Sequence, residues 1–219
     1  MSKKGKTMKC PRCEHLCPDT ARYCEQCGSL LRCDDPSYPL ADAYRLELAG
    51  KLNEAVATYE KLLEGPCDQQ ASPISKHLGN IHFRLGHLKR AKAHLARACE
   101  LDPSNATYWH DLGVVQYHMT DFEGAEESLR NALERDPDLH LAYFWLGNAL
   151  YHKGEYEEAK KAFHELLERY PNFAIARFHL GVIYSREGNR EAATKEFCSV
   201  LLKNPEDAVA RFYVRREIS

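Results

Sequence analysis

Apolar and small residues recur along this chain at the spacing of helix faces. Between residues 106 and 137 they fall at Trp109, Leu112, Gly113 and Tyr117, then at Ala125, Leu129, Ala132 and Leu133, and Pro137 closes the stretch. The i, i+4, i+7, i+8 spacing of the second set puts one apolar stripe on a helix. The same marks return as Tyr143, Leu146, Gly147, Tyr151, Ala159, Phe163, Leu166, Leu167 and Pro171. Leu112-Gly113, Leu146-Gly147 and Leu180-Gly181 lie 34 residues apart, a period that signals stacked helical hairpins. Small residues at Gly113, Gly147, Gly181, Ala125, Ala159 and Ala193 stand where two helices approach closely. A proline at the end of each stretch stops the second helix, because it cannot continue the hydrogen-bond ladder.

The pattern extends in both directions. A unit starting at Ser72 carries Leu78, Gly79, Gly86, Ala91, Leu95, Ala98 and Pro103, and one starting at Ala174 carries Leu180, Gly181, Tyr184, Gly188, Ala193, Phe197 and Pro205. A more divergent first unit reads from Pro36 through Ala43, Gly50, Ala55 and Tyr59. Residues 208–219 start one more first helix, but Arg215 replaces the small glycine, as suits a terminal cap more than a stacking unit. The expected layout is a module over 8–31, a linker over 32–37 and a helical array over 38–219. Its units start near 36, 72, 106, 140 and 174, with a capping helix over 208–219.

Trp109, Leu112, Gly113, Ala125 and Pro137 match the tetratricopeptide signature, with Leu129 in place of Phe. The array over about 36–219 thus resembles the tetratricopeptide repeat family. The resemblance implies an all-α, right-handed superhelical solenoid whose concave face, lined by first helices, holds a peptide or partner protein. Its groove positions here are Lys76, His77, Asn80, Phe83 and Arg84; His110, Asp111, Val114, Tyr117 and His118; Phe144, Trp145, Asn148, Tyr151 and His152; and Phe178, His179, Ser185 and Arg186. The residues expected to contact a partner are Lys76, Asn80, Arg84, His110, Tyr117, Trp145, Asn148, Tyr151, His152 and His179. Rings bury large area at low entropic cost, while Asn80 and Asn148 offer both donor and acceptor. Phe83, Tyr117 and Tyr151 recur at one repeat position, which favours packing between adjacent first helices for those three, while Asn80, Asn148 and Trp145 read more as partner contacts. The histidines, which titrate near pH 6.5, open a route to pH-sensitive binding. Some arrays of this family clamp an acidic chaperone tail with Lys and Asn, then Asn, then Lys and Arg. Lys76 and Asn80 fill the first two places, but Asp111, Leu141 and Trp145 fill the others, which argues against that ligand.

Before the array stand Cys10-Pro-Arg-Cys13 and Cys24-Glu-Gln-Cys27, separated by ten residues. Paired CxxC turns supply four thiolates to a tetrahedral metal. All four positions are then filled by protein, so the expected metal is structural: one zinc on Cys10, Cys13, Cys24 and Cys27, with iron open to the same sulfurs. His15 and Cys17 could replace a ligand only by breaking the symmetry of the two turns. The stretch resembles small zinc-ribbon domains.

Composition narrows the function further. Residues 1–33 carry seven Lys/Arg against three Asp/Glu, and the rest 23 against 29. A weakly basic head on an acidic body permits a nucleic-acid contact without demanding one. The longest apolar run, Leu141 to Leu146, is far shorter than the roughly 20 residues that span a bilayer, and CxxC pairs suit a reducing compartment. No membrane association and a cytoplasmic location are expected. The sequence has no phosphate-binding GxxxxGK[ST], no HExxH and no GxSxG, and Cys99 occupies the apolar place of Leu133, Leu167 and Leu201. The expectation is a non-catalytic scaffold for a protein or peptide partner, with a nucleic-acid-associated factor using the basic ribbon as the alternative.

Overall fold

The computed structural model describes residues 7–9, 16–18, 37–64 and 71–218. The chain divides into two units, residues 1–74 and 75–219. In the first unit β1 (Thr7–Lys9) pairs antiparallel with β2 (Leu16–Pro18), Met8 facing Cys17. Helices α1 (Ser37–Leu48) and α2 (Leu52–Leu63) form a hairpin that turns at Gly50. The buried Tyr59 donates its hydroxyl to Glu47 Oε2 at 3.1 Å. Burial, reinforced by that carboxylate, holds the phenol well above its ordinary pKa.

Helix α3 (Ala71–Arg84) crosses into the second unit, where helices then alternate with short turns: α4 (Leu88–Leu101), α5 (Ala106–His118), α6 (Phe122–Arg135) and α7 (His140–Lys153). They continue as α8 (Tyr156–Arg169), α9 (Ala174–Arg186), α10 (Arg190–Lys203) and α11 (Ala208–Ile218). The helical-hairpin reading therefore holds. Second helices begin without a side-chain cap at α2, α4 and α8 and with one at α6 and α10, where Asp121 Oδ1 accepts from Gly124 N at 3.1 Å and Asn189 Oδ1 from Ala192 N at 3.2 Å. They end just before Pro103, Pro137, Pro171 and Pro205, residues that disfavour helix at the preceding position.

From α3 to α10 each hairpin closes where a glycine meets a large side chain. A Cβ on Gly113 would sit 2.6 Å from Leu129 Cγ, and one on Gly147 would sit 2.7 Å from the Phe163 ring. The first helix therefore presses its backbone onto the second. The core of the central repeats runs from Leu129 and Ala132 through Leu146, Leu150 and Phe163 to Leu180 and Ile183. Cys99 lies in the neighbouring cluster with Leu95, Tyr108 and Leu112, and burial pushes its thiol up to about 12.

Ion pairs link α4, α6 and α8 to the following repeat. Lys92 meets Asp121 at 2.7 Å, Glu126 meets Lys153, and Lys160 meets Glu187 at 2.9 Å. The sign reverses at the middle pair while the pairing is kept. On α11, Arg215 is exposed and Ala210 buried. The helix also leaves Val209 and Phe212 more than half exposed, which a purely shielding cap would not do.

Candidate functional site

The first helices of the second unit carry all the sequence-predicted groove residues, and the structure sorts them into three regions. At α3 and α5 the residues are polar and bonded to one another. Asn80 Nδ2 donates to Asp111 Oδ2 at 3.0 Å, Lys76 Nζ stands 3.9 Å from the same oxygen, and His110 Nδ1 lies 3.0 Å from Asp111 Oδ1. The other imidazole nitrogen of His110 is buried without a hydrogen-bond partner. Asp111 is thus the hub of this region. Arg84 is exposed at the end of α3.

Between α5 and α7 the face is aromatic. The Tyr117 ring lies 5.2 Å from Trp145 and 5.7 Å from His152, His118 packs edge-on to Trp145 at 5.5 Å, and His152 stacks on Phe122 at 4.9 Å. Such tilted and edge-on pairs are the favoured geometries of ring quadrupoles. Burial raises the Tyr117 pKa. Tyr117 therefore packs between adjacent first helices and stays only partly buried. Tyr151 accepts a hydrogen bond from Arg186 Nη1 at 3.1 Å, and the guanidinium lies 5.2 Å from the Tyr156 ring centroid.

Two predicted residues are less available than the sequence implied. Asn148 is only 3% exposed, and its Nδ2 donates to Phe144 O in its own helix at 2.9 Å. His179 stacks on Phe163 at 5.4 Å with Phe144 at its edge. Burial, with a smaller contribution from His152, holds this imidazole below its ordinary pKa.

The third region was anticipated only at Phe144 and Phe178. Leu141, Ile175 and Val209 recur 34 residues apart at the second position of α7, α9 and α11, and Phe144, Phe178 and Phe212 recur with the same interval three residues later. Leu141, Ile175, Val209 and Phe212 are 40%, 56%, 54% and 61% exposed. The signal was in the period: two apolar rows run across three successive first helices, where the two preceding units have Lys76 and His110 at the fifth position. The predicted metal ligands Cys10, Cys13, Cys24 and Cys27 lie outside the described residues. Among the described residues no helix is long and apolar enough to cross a membrane.

Comparison with known proteins agrees with this geometry. Tetratricopeptide repeat profiles match residues 106–139 and 140–173, and a further TPR repeat profile matches 79–119. No curated protein sequence matches the chain. The chain is similar to the crystal structure of YrrB, described as a TPR protein with an unusual peptide-binding site. The two are 26% identical, over 80% of this chain and 89% of that one, with a TM-score of 0.72. The MamA crystal structure is 24% identical over 76% of this chain and 96% of its own, with a TM-score of 0.71. A tetratricopeptide repeat protein from Parabacteroides merdae is 18% identical over 83% and 72%, with a TM-score of 0.75. The last two likenesses concern the fold alone. The chain therefore carries tetratricopeptide repeats, matched from residue 79 to residue 173, within an all-helical repeat fold.

Proposed function

We propose that the chain is a non-catalytic cytoplasmic adaptor that holds a partner peptide or protein on the face formed by its first helices, with a structural zinc ribbon over residues 8–31. The observation that carries the reading is the continuity of accessible rings on that face, from Tyr117 and Trp145 to Tyr151 and Phe178. A face used only for internal packing would not keep large aromatic groups partly in water over successive helices. Semi-exposed rings supply the buried area that anchors a partner once water is excluded. The likeness to YrrB, described as having a peptide-binding site, supports the same use. His110 and Asp111 do not resemble a reactive pair, because the distal nitrogen of His110 is enclosed and Asp111 is engaged by Asn80. The β1–β2 pairing supports the ribbon, since the chain joining the two strands carries Cys10 and Cys13.

The test is a partner recovered from the native host on the intact chain and titrated by calorimetry. Trp145→Ala is expected to weaken binding by at least about 2 kcal/mol, near 30-fold in Kd. Glu157→Ala, at an exposed site on α8 paired only with Lys160, should change it by less than about 0.5 kcal/mol. Equal losses from both variants, with folding intact, would move the interface away from the first helices.

A further inference from the structure

The acidic balance of the chain past residue 33 conceals a block of the opposite sign. Residues 75–101, most of α3 and all of α4, carry Lys76, Arg84, Lys89, Arg90, Lys92 and Arg97 against Glu100 alone, while residues 102–219 carry 14 Lys/Arg against 20 Asp/Glu. Lys76 and Lys92 face Asp111 and Asp121 of the next repeat. Lys89, Arg90 and Arg97 are exposed and make no ion pair among the described residues. They lie on the side of α4 away from the buried Ala91, Leu95 and Ala98, so they belong to the outward side of a second helix and not to the first-helix face.

The 34-residue period shows that this charge is peculiar to one repeat. The places of Lys89, Arg90 and Arg97 hold Glu123, Gly124 and Asn131 on α6, Glu157, Glu158 and Glu165 on α8, and Glu191, Ala192 and Ser199 on α10. Among the described second helices, α2, α6, α8 and α10 each place an acidic residue in the first turn, and α4 places none. The partial positive charge of a helix N-terminus favours an acidic side chain there and disfavours a cation. Lys89 and Arg90 therefore weaken the helix that carries them, the trade of stability expected of a surface kept for binding.

What the stripe lacks decides the partner. Between Arg90 and Arg97 the outward residues are Ala93 and, in part, His94 and Ala96, so no large apolar group is there to anchor a protein or enter a bilayer. The His94 ring is stacked on His82 at 5.3 Å, which leaves no ring to stack on unpaired bases. Exposed ion pairs with an acidic protein contribute little, whereas cations set on a phosphate backbone gain from release of its condensed counterions. Arg90 and Arg97 stand about 10 Å apart along the helix axis, a length that covers about three phosphates of one strand of a duplex. The exposed Glu123, Glu127 and Glu134 of α6 repel a polyanion and confine it to α4.

We propose that the outward face of α4 binds the phosphate backbone of a nucleic-acid duplex through Lys89, Arg90 and Arg97, without reading base sequence. This surface is separate from the first-helix face, so one chain can hold a protein partner and a duplex together.

The test uses the intact chain and a mixed-sequence duplex of about 20 base pairs, two helical turns, in DNA and RNA forms, followed by fluorescence anisotropy over a range of salt. Both duplexes are expected to bind, with the logarithm of the association constant falling against that of salt at a slope of about −2.7, as three neutralised phosphates require. Lys89→Glu/Arg90→Glu is expected to weaken binding about tenfold or more and to raise the melting midpoint, because it restores an acidic first turn. Arg97→Glu, about two turns further along α4, is expected to weaken binding about threefold or more. Lys161→Glu/Lys195→Glu makes the same change of net charge on α8 and α10 and should leave binding within about twofold. Trp145→Ala and Leu101→Ser should leave it unchanged.

Equal losses from the two double variants would reduce the effect to net charge and overturn the proposal, as would a slope near zero, a preference for the single strand or full binding in Arg97→Glu. A lower melting midpoint in Lys89→Glu/Arg90→Glu would assign the cations to the fold and overturn it too. Binding that survives the α4 variants and is lost when Lys3, Lys4, Lys6 and Lys9 become Ser would place the duplex on the start of the chain. Binding to phosphatidylglycerol vesicles without binding to duplexes, or displacement of the duplex by an equal charge of poly-glutamate, would replace nucleic acid by a lipid surface or an acidic protein. Each of these last outcomes overturns the proposal.

Discussion

Thr120 is the residue at which this chain most clearly departs from its own pattern. The turns between first and second helices reverse at Gly50, Gly86, Gly154 and Gly188, all with positive φ, and Thr120 occupies the matching place with φ 61°. A β-branched side chain in the left-handed region crowds the backbone and costs roughly 1–2 kcal/mol. The hydroxyl offsets part of this by donating to Met119 O at 2.6 Å. Thr120→Gly is therefore expected to stabilise the chain by about 1 kcal/mol, with a shift in the urea midpoint at constant slope as the measure. Thr120→Ala, which keeps the Cβ and loses the hydroxyl, should give no gain. Asp111 shows the opposite limit of what a sequence discloses. Its place on the first-helix face was readable, but its role as the acceptor that engages Asn80 and Lys76 depends on neighbours one repeat away.

At the scale of the element, the hairpins were legible because their cause is local and repeated. Gly79, Gly113, Gly147 and Gly181 face Leu95, Leu129, Phe163 and Phe197, and an added Cβ would lie within 2.5–2.7 Å of each. A small residue and a large one at constant spacing is a pattern that one sequence displays to itself several times. Gly147→Val should then destabilise the array by about 1–3 kcal/mol through overpacking against the buried Phe163 ring. Arg215→Val, at the matching but exposed position of α11, should fall within about 0.5 kcal/mol of wild type; paired thermal melts separate the two, and equal shifts would show that Gly147 is not a close-packing site. The cavity lined by Ile175, Phe178, Val200 and Val209 beside Asp207 was not legible for the complementary reason. The residue before each first helix either caps that helix or fills the space beside the preceding one. Asn105, Leu139, Phe173 and Asp207 show that composition alone does not tell which space is then left open. Likewise Asn148 and His179 sit at face positions by period, but their burial follows from how far the neighbouring rings reach inward.

At the scale of the molecule, the repeats are coupled to their neighbours and little else. Lys92–Asp121, Glu126–Lys153 and Lys160–Glu187 each join one repeat to the next, and the core clusters likewise pass from one hairpin to its neighbour. In such quasi-one-dimensional assemblies stability is close to a sum of repeat and interface terms. The zinc ribbon proposed for the four-cysteine segment would follow a different rule, since a stretch that short would draw its folding energy from the metal, on the order of 10–16 kcal/mol in comparable peptides. The two should therefore respond independently to a chelator. Elemental analysis of purified chain is expected to find about one zinc, absent in Cys24→Ser/Cys27→Ser, because a structural site needs all four thiolates. Stripping that metal should leave the helical circular dichroism of residues 75–219 and its melting midpoint unchanged. A native chain without metal would overturn the ribbon, whereas a helical array that melts on chelation would show that its stability is not confined to neighbouring repeats.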